Sequence, residues 1–191
     1  MNRFAKLYSI LSTALLIIGV IIFVNVDRAH REAEARADSL QSVVETQQEE
    51  IRKQHRTIQR LHSRLELLAG DMASVITAET KRPAEMELIA WAMRNRVESN
   101  RHPDGLRAVL SERAAFTPVM RGNLPAPMPE ARRAAMSVLL APASDDPTGG
   151  ATHYYSPRSM RPAYSRPVWA SRLDRVHVHS VPDHRFRFYR D

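Results

Sequence analysis

Cysteine is absent from the 191 residues, which excludes a disulfide framework, a thiolate metal centre and any covalent thiol mechanism, and leaves the redox compartment undetermined. Charge is absent from Leu7 to Val26, a run of twenty residues dominated by Leu, Ile and Val. At 1.5 Å rise per residue, such a run matches a hydrocarbon core about 30 Å thick and predicts a transmembrane helix. A cleaved signal peptide is the alternative, but its apolar region is normally about 7 to 15 residues long. The one small-x-small candidate for cleavage, Ala33-Glu34-Ala35, also lies well past the apolar run. Gly and Pro are absent from Asp27 to Ala69, and no nucleic-acid-binding motif occurs anywhere.

What fills the Gly- and Pro-free stretch is a heptad pattern. With Val44, Ile51, Ile58, Leu65 and Met72 at a, Leu40, Gln47, Gln54, Leu61, Leu68 and Val75 fall at d. Branched residues at a with Leu at several d positions favour two parallel strands, and two Gln at d fix register at a cost in stability. The pattern predicts a coiled-coil stalk that pairs two copies of the chain. An amphipathic helix folded back onto the remaining domain is the alternative. As a straight helix, residues 27–76 would span roughly 75 Å. The helical His55 and His62 are most simply solvated.

Charge sorts by segment. The total of +7 divides into +2 over residues 1–26, −1 over 27–76 and +6 over 77–191. Arg3 and Lys6 precede the apolar run without acidic company, so the positive-inside rule puts the N-terminus in the cytoplasm and everything after Val26 in the periplasm or exterior. A basic exported domain would attract a polyanion of the envelope rather than DNA, although a basic surface also serves solubility alone.

In the last part of the chain, Pro83 suits a first helical position, and Met86, Ile89, Ala90, Met93 and Val97 share a face until Ser99-Asn100 and Pro103 end the helix. A short helix is expected from Leu106 to Glu112. Another is expected from Pro129 to before Pro142, with Met136, Leu139 and Leu140 inward. Asp145 to Gly150 has turn chemistry and Ala151 to Tyr155 reads as a strand. Val176 and Val178, alternating with His177 and His179, then a Val181-Pro182-Asp183 turn and Phe186 and Phe188, predict a hairpin.

The stretch Asp146-Pro147-Thr148-Gly149-Gly150-Ala151-Thr152-His153-Tyr154-Tyr155-Ser156-Pro157 resembles a signature segment of the SleB-type cell-wall hydrolases, which cut peptidoglycan glycan strands. Other parts follow in that family's order: Val75-Ile76-Thr77-Ala78-Glu79, Ala92-Met93-Arg94-Asn95-Arg96-Val97, Ala115-Phe116-Thr117-Pro118-Val119, Arg166-Pro167-Val168-Trp169 and His184-Arg185-Phe186. The resemblance covers roughly residues 73–191. It implies an α+β, mostly helical, lysozyme-like catalytic domain, here preceded by a transmembrane helix and a coiled-coil stalk. The expected organisation is residues 1–26 as cytoplasmic tip and anchor, 27–72 as stalk and 73–191 as the hydrolase domain.

By this resemblance Glu79 is the catalytic acid. Cleaving a glycosidic bond requires protonating the leaving oxygen, which a carboxylic acid does near neutral pH only if its surroundings raise its pKa. Val75, Ile76 and Ala78 are apolar neighbours, whereas Lys81 and Arg82 would hold the acid ionised unless they point to solvent. The family pattern Glu-Ala-Arg-Gly-Glu is altered here to Glu79-Thr80-Lys81-Arg82-Pro83, without the Gly and the second Glu. Glu85 or Glu87 could replace the latter; Asp145 and Asp146 are better explained by the turn. Hydrolases need two carboxylates, about 5 Å or about 6.5–9.5 Å apart. Lytic transglycosylases, as the resemblance implies, need one, so the altered pattern favours that reaction.

The resemblance places Thr117 and Tyr154 beside the acid as substrate-binding residues; Tyr154 could equally be a core aromatic. Trp169 is expected to pack, and His153 is given no catalytic role. His177, His179 and His184 make a weak metal set, so no metal or cofactor is expected. The chain thus reads as a membrane-anchored peptidoglycan-cleaving enzyme of the inner membrane with a periplasmic catalytic domain, serving wall remodelling or phage lysis as an endolysin. The competing reading is a non-catalytic envelope-spanning protein that binds glycan. Its partners are peptidoglycan strands, the membrane through one helix and a second copy through the stalk, with no nucleic acid.

Overall fold

The computed structural model describes residues 3–112, 116, 119 and 122–191, with side chains from residue 11 onward. The first element, α1, runs Arg3–Glu79. The chain forms two compact units, Met1–Gln59 and Arg60–Asp191.

The first unit is helical throughout its described part. Among the described residues α1 is the one helix long and apolar enough to cross a membrane, and the side chains of that stretch, Leu15 and Phe23 among them, are exposed. Beyond it, Arg28–Glu32 at 3.1 Å and Asp27–Arg31 at 2.5 Å are i,i+4 pairs, each of which contributes about 0.3–0.5 kcal/mol to an exposed helix. Leu40, Val44, Ile51, Ile58 and Leu61, five of the expected a and d positions, are exposed as well, whereas Met72 and Val75, also assigned to a and d, are buried in the core of the second unit. A helix presenting that stripe to water has its apolar face unused.

The second unit is mostly helical with one small sheet. Its core begins inside α1, where Ala69, Met72, Ala73, Val75 and Ile76 are fully buried. Helix α2, Pro83–Glu98, opens with Pro83 at its first turn after an extended Arg82 and ends at the extended Ser99, as its sequence signals require. It is buried around most of its circumference, with Met86, Leu88, Ile89, Ala90, Trp91, Ala92 and Met93 all enclosed, which makes it the central helix rather than a surface one. Helix α3, Leu106–Ser111, and helix α4, Pro129–Leu140, pack against it.

The expected inward face of α4 needs correction. Ala131, Ala135 and Val138 are the buried residues, Met136 and Leu139 are half-buried, and Leu140 is 66% exposed. Small residues at i, i+4 and i+7 let α4 approach α2 closely, which the bulkier side chains would prevent. Arg94 of α2 then closes the helix, donating from Nη1 to the carbonyls of Val138 at 2.7 Å and Ala141 at 2.6 Å.

The sheet has the order β1-β3-β2, all antiparallel, with β1 His153–Tyr155, β2 Asp174–Val176 and β3 Arg187–Arg190. The hairpin exists, but its first strand ends at Val176, so His177 and His179 fall after the strand rather than along it. Strand alternation divides the aromatics between two clusters. Tyr154, Phe186 and Phe188 join the main core, and Tyr155 and Tyr189 form a second, smaller cluster with Trp169.

Candidate active site

The turn before β1 is built by one carboxylate. Asp146 Oδ1 accepts from Thr148 N at 2.8 Å and Thr148 Oγ1 at 2.6 Å, and its Oδ2 accepts from Gly150 N at 2.7 Å and Asn95 Nδ2 at 3.0 Å. Gly149 and Gly150 have φ of +58° and +80°, a consecutive pair that side-chain-bearing residues rarely adopt. Asp146 is consumed by this turn and Asp145 is exposed, so the turn reading of the acidic pair holds.

Three consecutive residues of α2 aim this turn at the acid. Arg94 holds the end of α4, and Asn95 also donates to Ala151 O at 3.0 Å. Arg96, only 5% exposed, donates from Nε to Thr152 O at 2.5 Å and lies over the Phe116 ring at 5.0 Å. The start of β1 is thereby fixed against α2.

Glu79 is the last residue of α1 and half-buried. It lines a groove of about 410 Å³ with Arg96, His153, Tyr154, Trp169 and Arg185 among its walls. Burial pushes the Glu79 carboxyl above its ordinary pKa, against the pull of Arg96. A helix C-terminus disfavours an anion in the same direction. Lys81 does not counter this: its Nζ donates to Thr77 O at 2.7 Å, satisfying a carbonyl at the end of α1, and Arg82 is exposed. The surroundings of Glu79 thus favour the protonated form of its carboxyl.

Tyr154 stands in the same groove. Its ring packs edge-on to Phe186 at 5.7 Å, and its hydroxyl is buried without a hydrogen-bond partner among the described residues. Burial first, and then the Glu79 carboxylate, push its pKa well up, so it remains a neutral hydroxyl. Tyr154 is both the core aromatic and the polar group at the acid. Thr117 lies outside the described residues.

Neither expected replacement for the second acid reaches the groove. Glu87 is exposed. Glu85 is buried and paired with Arg185, whose Nε and Nη2 donate at 2.8 Å and 2.9 Å, while the Thr80 hydroxyl donates to it as well. Burial would raise its pKa, but those hydrogen bonds and the charges of Arg185 and Arg82 prevail and hold it below its ordinary value. Among the described residues lining the groove, Glu79 is the one carboxylate.

Three residues without an expected site role, His153, Trp169 and Arg96, also line the groove. His153, whose imidazole is pushed down to about 4 by burial and by Arg96 and His102, packs on Trp169 at 5.2 Å between ring centres. Trp169 packs, as expected, but also walls the groove. Arg96 had a legible signal: it continues the Ile89–Met93 face of an otherwise apolar stripe, where a charge must find partners.

Comparison with known proteins agrees with this geometry. A family model described as Cell Wall Hydrolase matches residues 81–187, a span that begins just after Glu79. The chain is similar to the catalytic domain of the germination-specific lytic transglycosylase SleB from Bacillus anthracis, with 22% identity and a TM-score of 0.53 over 64% of this chain and 93% of that one. It is also similar to the catalytic domain of the Bacillus cereus SleB protein, at 22% identity and a TM-score of 0.52 over 64% and 89%. No curated protein matches significantly. With more than half of its length matched and the shared fold in place, the chain belongs to the SleB-type cell wall hydrolase family.

Proposed function

We propose that the terminal domain cleaves peptidoglycan glycan strands as a lytic transglycosylase, with Glu79 as its single acid. The observation that carries this is that Glu79 is the one carboxylate among the described groove residues, in surroundings that raise its pKa. Glu79 donates its proton to the leaving glycosidic oxygen as the bond to C1 breaks, generating an oxocarbenium-like centre. The resulting carboxylate, which Arg96 stabilises, takes the proton of the sugar's own 6-hydroxyl as that oxygen attacks C1. No water is consumed, and a 1,6-anhydro end results. The unpaired Tyr154 hydroxyl and Thr117 bind sugar, and His153 and Trp169 offer a ring surface for it. Digestion of purified peptidoglycan followed by mass spectrometry should give products lighter by one water than hydrolytic fragments. Fragments with reducing ends would instead indicate a hydrolase, and intact strands that still bind the protein would favour a glycan-binding role.

The rest of the chain supports placement at a membrane. In this reading residues 1–26 anchor the protein in the inner membrane, residues 27–72 form the stalk, whose last turns also supply Ala69 and Met72 to the core, and residues 73–191 form the periplasmic domain. Wall remodelling, or lysis if the chain is phage-encoded, would be the setting. The exposed heptad face would pair with that of a second, parallel copy. Because the chain has no cysteine, this is cleanly testable. Ile51→Cys at an a position should cross-link under mild oxidation of the full chain in detergent, and Glu49→Cys on the outer face should not. Equal, weak cross-linking of both variants would exclude the parallel dimer.

A further inference from the structure

At one wall of the groove lies a cluster of which the proposed glycan cleavage uses only the His153 ring. One nitrogen of His102, one of His153 and one carboxylate oxygen of Asp191 all lie within 4.8 Å of one another. His102 is the informative member, its side chain only 6% exposed. Its Nδ1 is 3.0 Å from Glu112 Oε2, and since a carboxylate only accepts, Nδ1 carries the proton. In the neutral form of the ring the lone pair is then on Nε2. That atom is buried without a hydrogen-bond partner among the described residues and faces Asp191 Oδ2 at 3.9 Å, too far for a hydrogen bond. A bare nitrogen facing a carboxylate oxygen leaves two acceptors with nothing between them, an arrangement that a shared cation satisfies.

The surroundings hold these groups in place. The Thr152 hydroxyl donates to Asp191 Oδ1 at 2.7 Å and meets His153 Nδ1 at 2.9 Å. The His102–Glu112 pair reproduces the arrangement in which a ligating imidazole gives its other N–H to a carboxylate, which fixes the tautomer and raises ligand basicity. Two cations border the cluster. Arg96 approaches Glu112 at 3.9 Å, and Arg101 approaches Asp191 at 3.9 Å from a side chain 65% exposed, which can withdraw into solvent.

We propose that His102, His153 and Asp191 form a binding site for one divalent transition-metal ion of the zinc class, with Glu112 as the outer partner of His102. Two imidazoles and a carboxylate suit zinc, and leave a fourth position for water. With metal–ligand arms of about 2.1 Å, tetrahedral donors sit roughly 3.4 Å apart, so closure requires side-chain shifts of about 1 Å. His102 follows α2, His153 opens β1 and Asp191 follows β3. The ion would tie these three segments together and fix the His153 ring against Trp169, giving the groove a metal-dependent wall.

The test uses the full chain in detergent, stripped by chelator, then titrated with zinc chloride by calorimetry, with bound metal counted after gel filtration. One zinc per chain at micromolar affinity or tighter is expected, together with a higher melting temperature. His102→Gln and Asp191→Asn should each weaken binding at least 100-fold, and Glu112→Gln by roughly 10- to 100-fold with the stoichiometry unchanged. His179→Gln should bind as the parent does. Should His102→Gln fail to fold by circular dichroism, Glu112→Gln decides, since it keeps both the ring and the neighbouring shape. A parent that retains no zinc, affinity unchanged in Asp191→Asn and Glu112→Gln, or binding lost with His179→Gln would each overturn the site.

Discussion

Glu79→Gln should reduce peptidoglycan clearance by roughly 10²- to 10⁴-fold, the usual contribution of a positioned general acid, while glycan binding persists. Gln keeps the side chain's shape and hydrogen-bonding reach but has no proton to give to the leaving oxygen. The parent's activity should fall as pH rises through the raised Glu79 pKa, and the residual activity of the variant should lack that limb. Stability should move in the same sense. A carboxyl whose pKa is raised on folding contributes its full stabilisation below the ordinary carboxylate range and loses it as pH rises through the folded value. The parent should therefore lose stability relative to Glu79→Gln on going from acid to neutral pH, and paired melting curves across that interval would show it. Unchanged clearance by the variant would remove Glu79 from the mechanism, and a stability difference independent of pH would mean that its carboxyl is not held protonated by burial.

Local chemistry made much of this domain legible. Pro83 and Ser99 mark the bounds of α2 because they act on the backbone within one turn, and Asp146 with Gly149 and Gly150 specifies a turn that needs nothing from elsewhere. The position of Glu79 was legible only through the family pattern, since its unusual surroundings arise from a groove assembled out of α1, α2, β1 and the Trp169 segment. What the sequence concealed is tertiary. Periodicity put Leu140 inward because it ranks by hydrophobicity, whereas α4 is seated by the small Ala131 and Ala135. The fate of Glu85 was hidden for the same reason, its partner being a hundred positions away. Nor does spacing join His102 to His153 and Asp191, which meet because Asn95 and Arg96 pin the start of β1 to α2 and β3 pairs beside it.

Arg185→Met should be the most destabilising of the groove substitutions, because it leaves Glu85 buried and charged without its bidentate partner. Breaking a fully buried pair costs about 3–5 kcal/mol, and with Arg185 24% exposed the expected loss is about 2–4 kcal/mol, a fall in melting temperature of roughly 5–15 °C. Glu85→Gln should cost less, since the guanidinium left behind can turn to water while Gln keeps an acceptor for Thr80. The double variant should be more stable than the two single losses predict, and that coupling, measured by a thermal or urea double-mutant cycle, separates the pair from its surroundings. The same variants decide the chemistry. If Glu85 is structural, Glu85→Gln assayed well below its melting temperature should retain most of the parental turnover and the same anhydro products. A loss matching that of Glu79→Gln in a folded Glu85→Gln protein, with reducing ends among the parent's products, would make Glu85 a second catalytic carboxylate and the enzyme a hydrolase. An Arg185→Met protein that melts with the parent would show that the ion pair holds neither Glu85 ionised nor the β2–β3 connection in place.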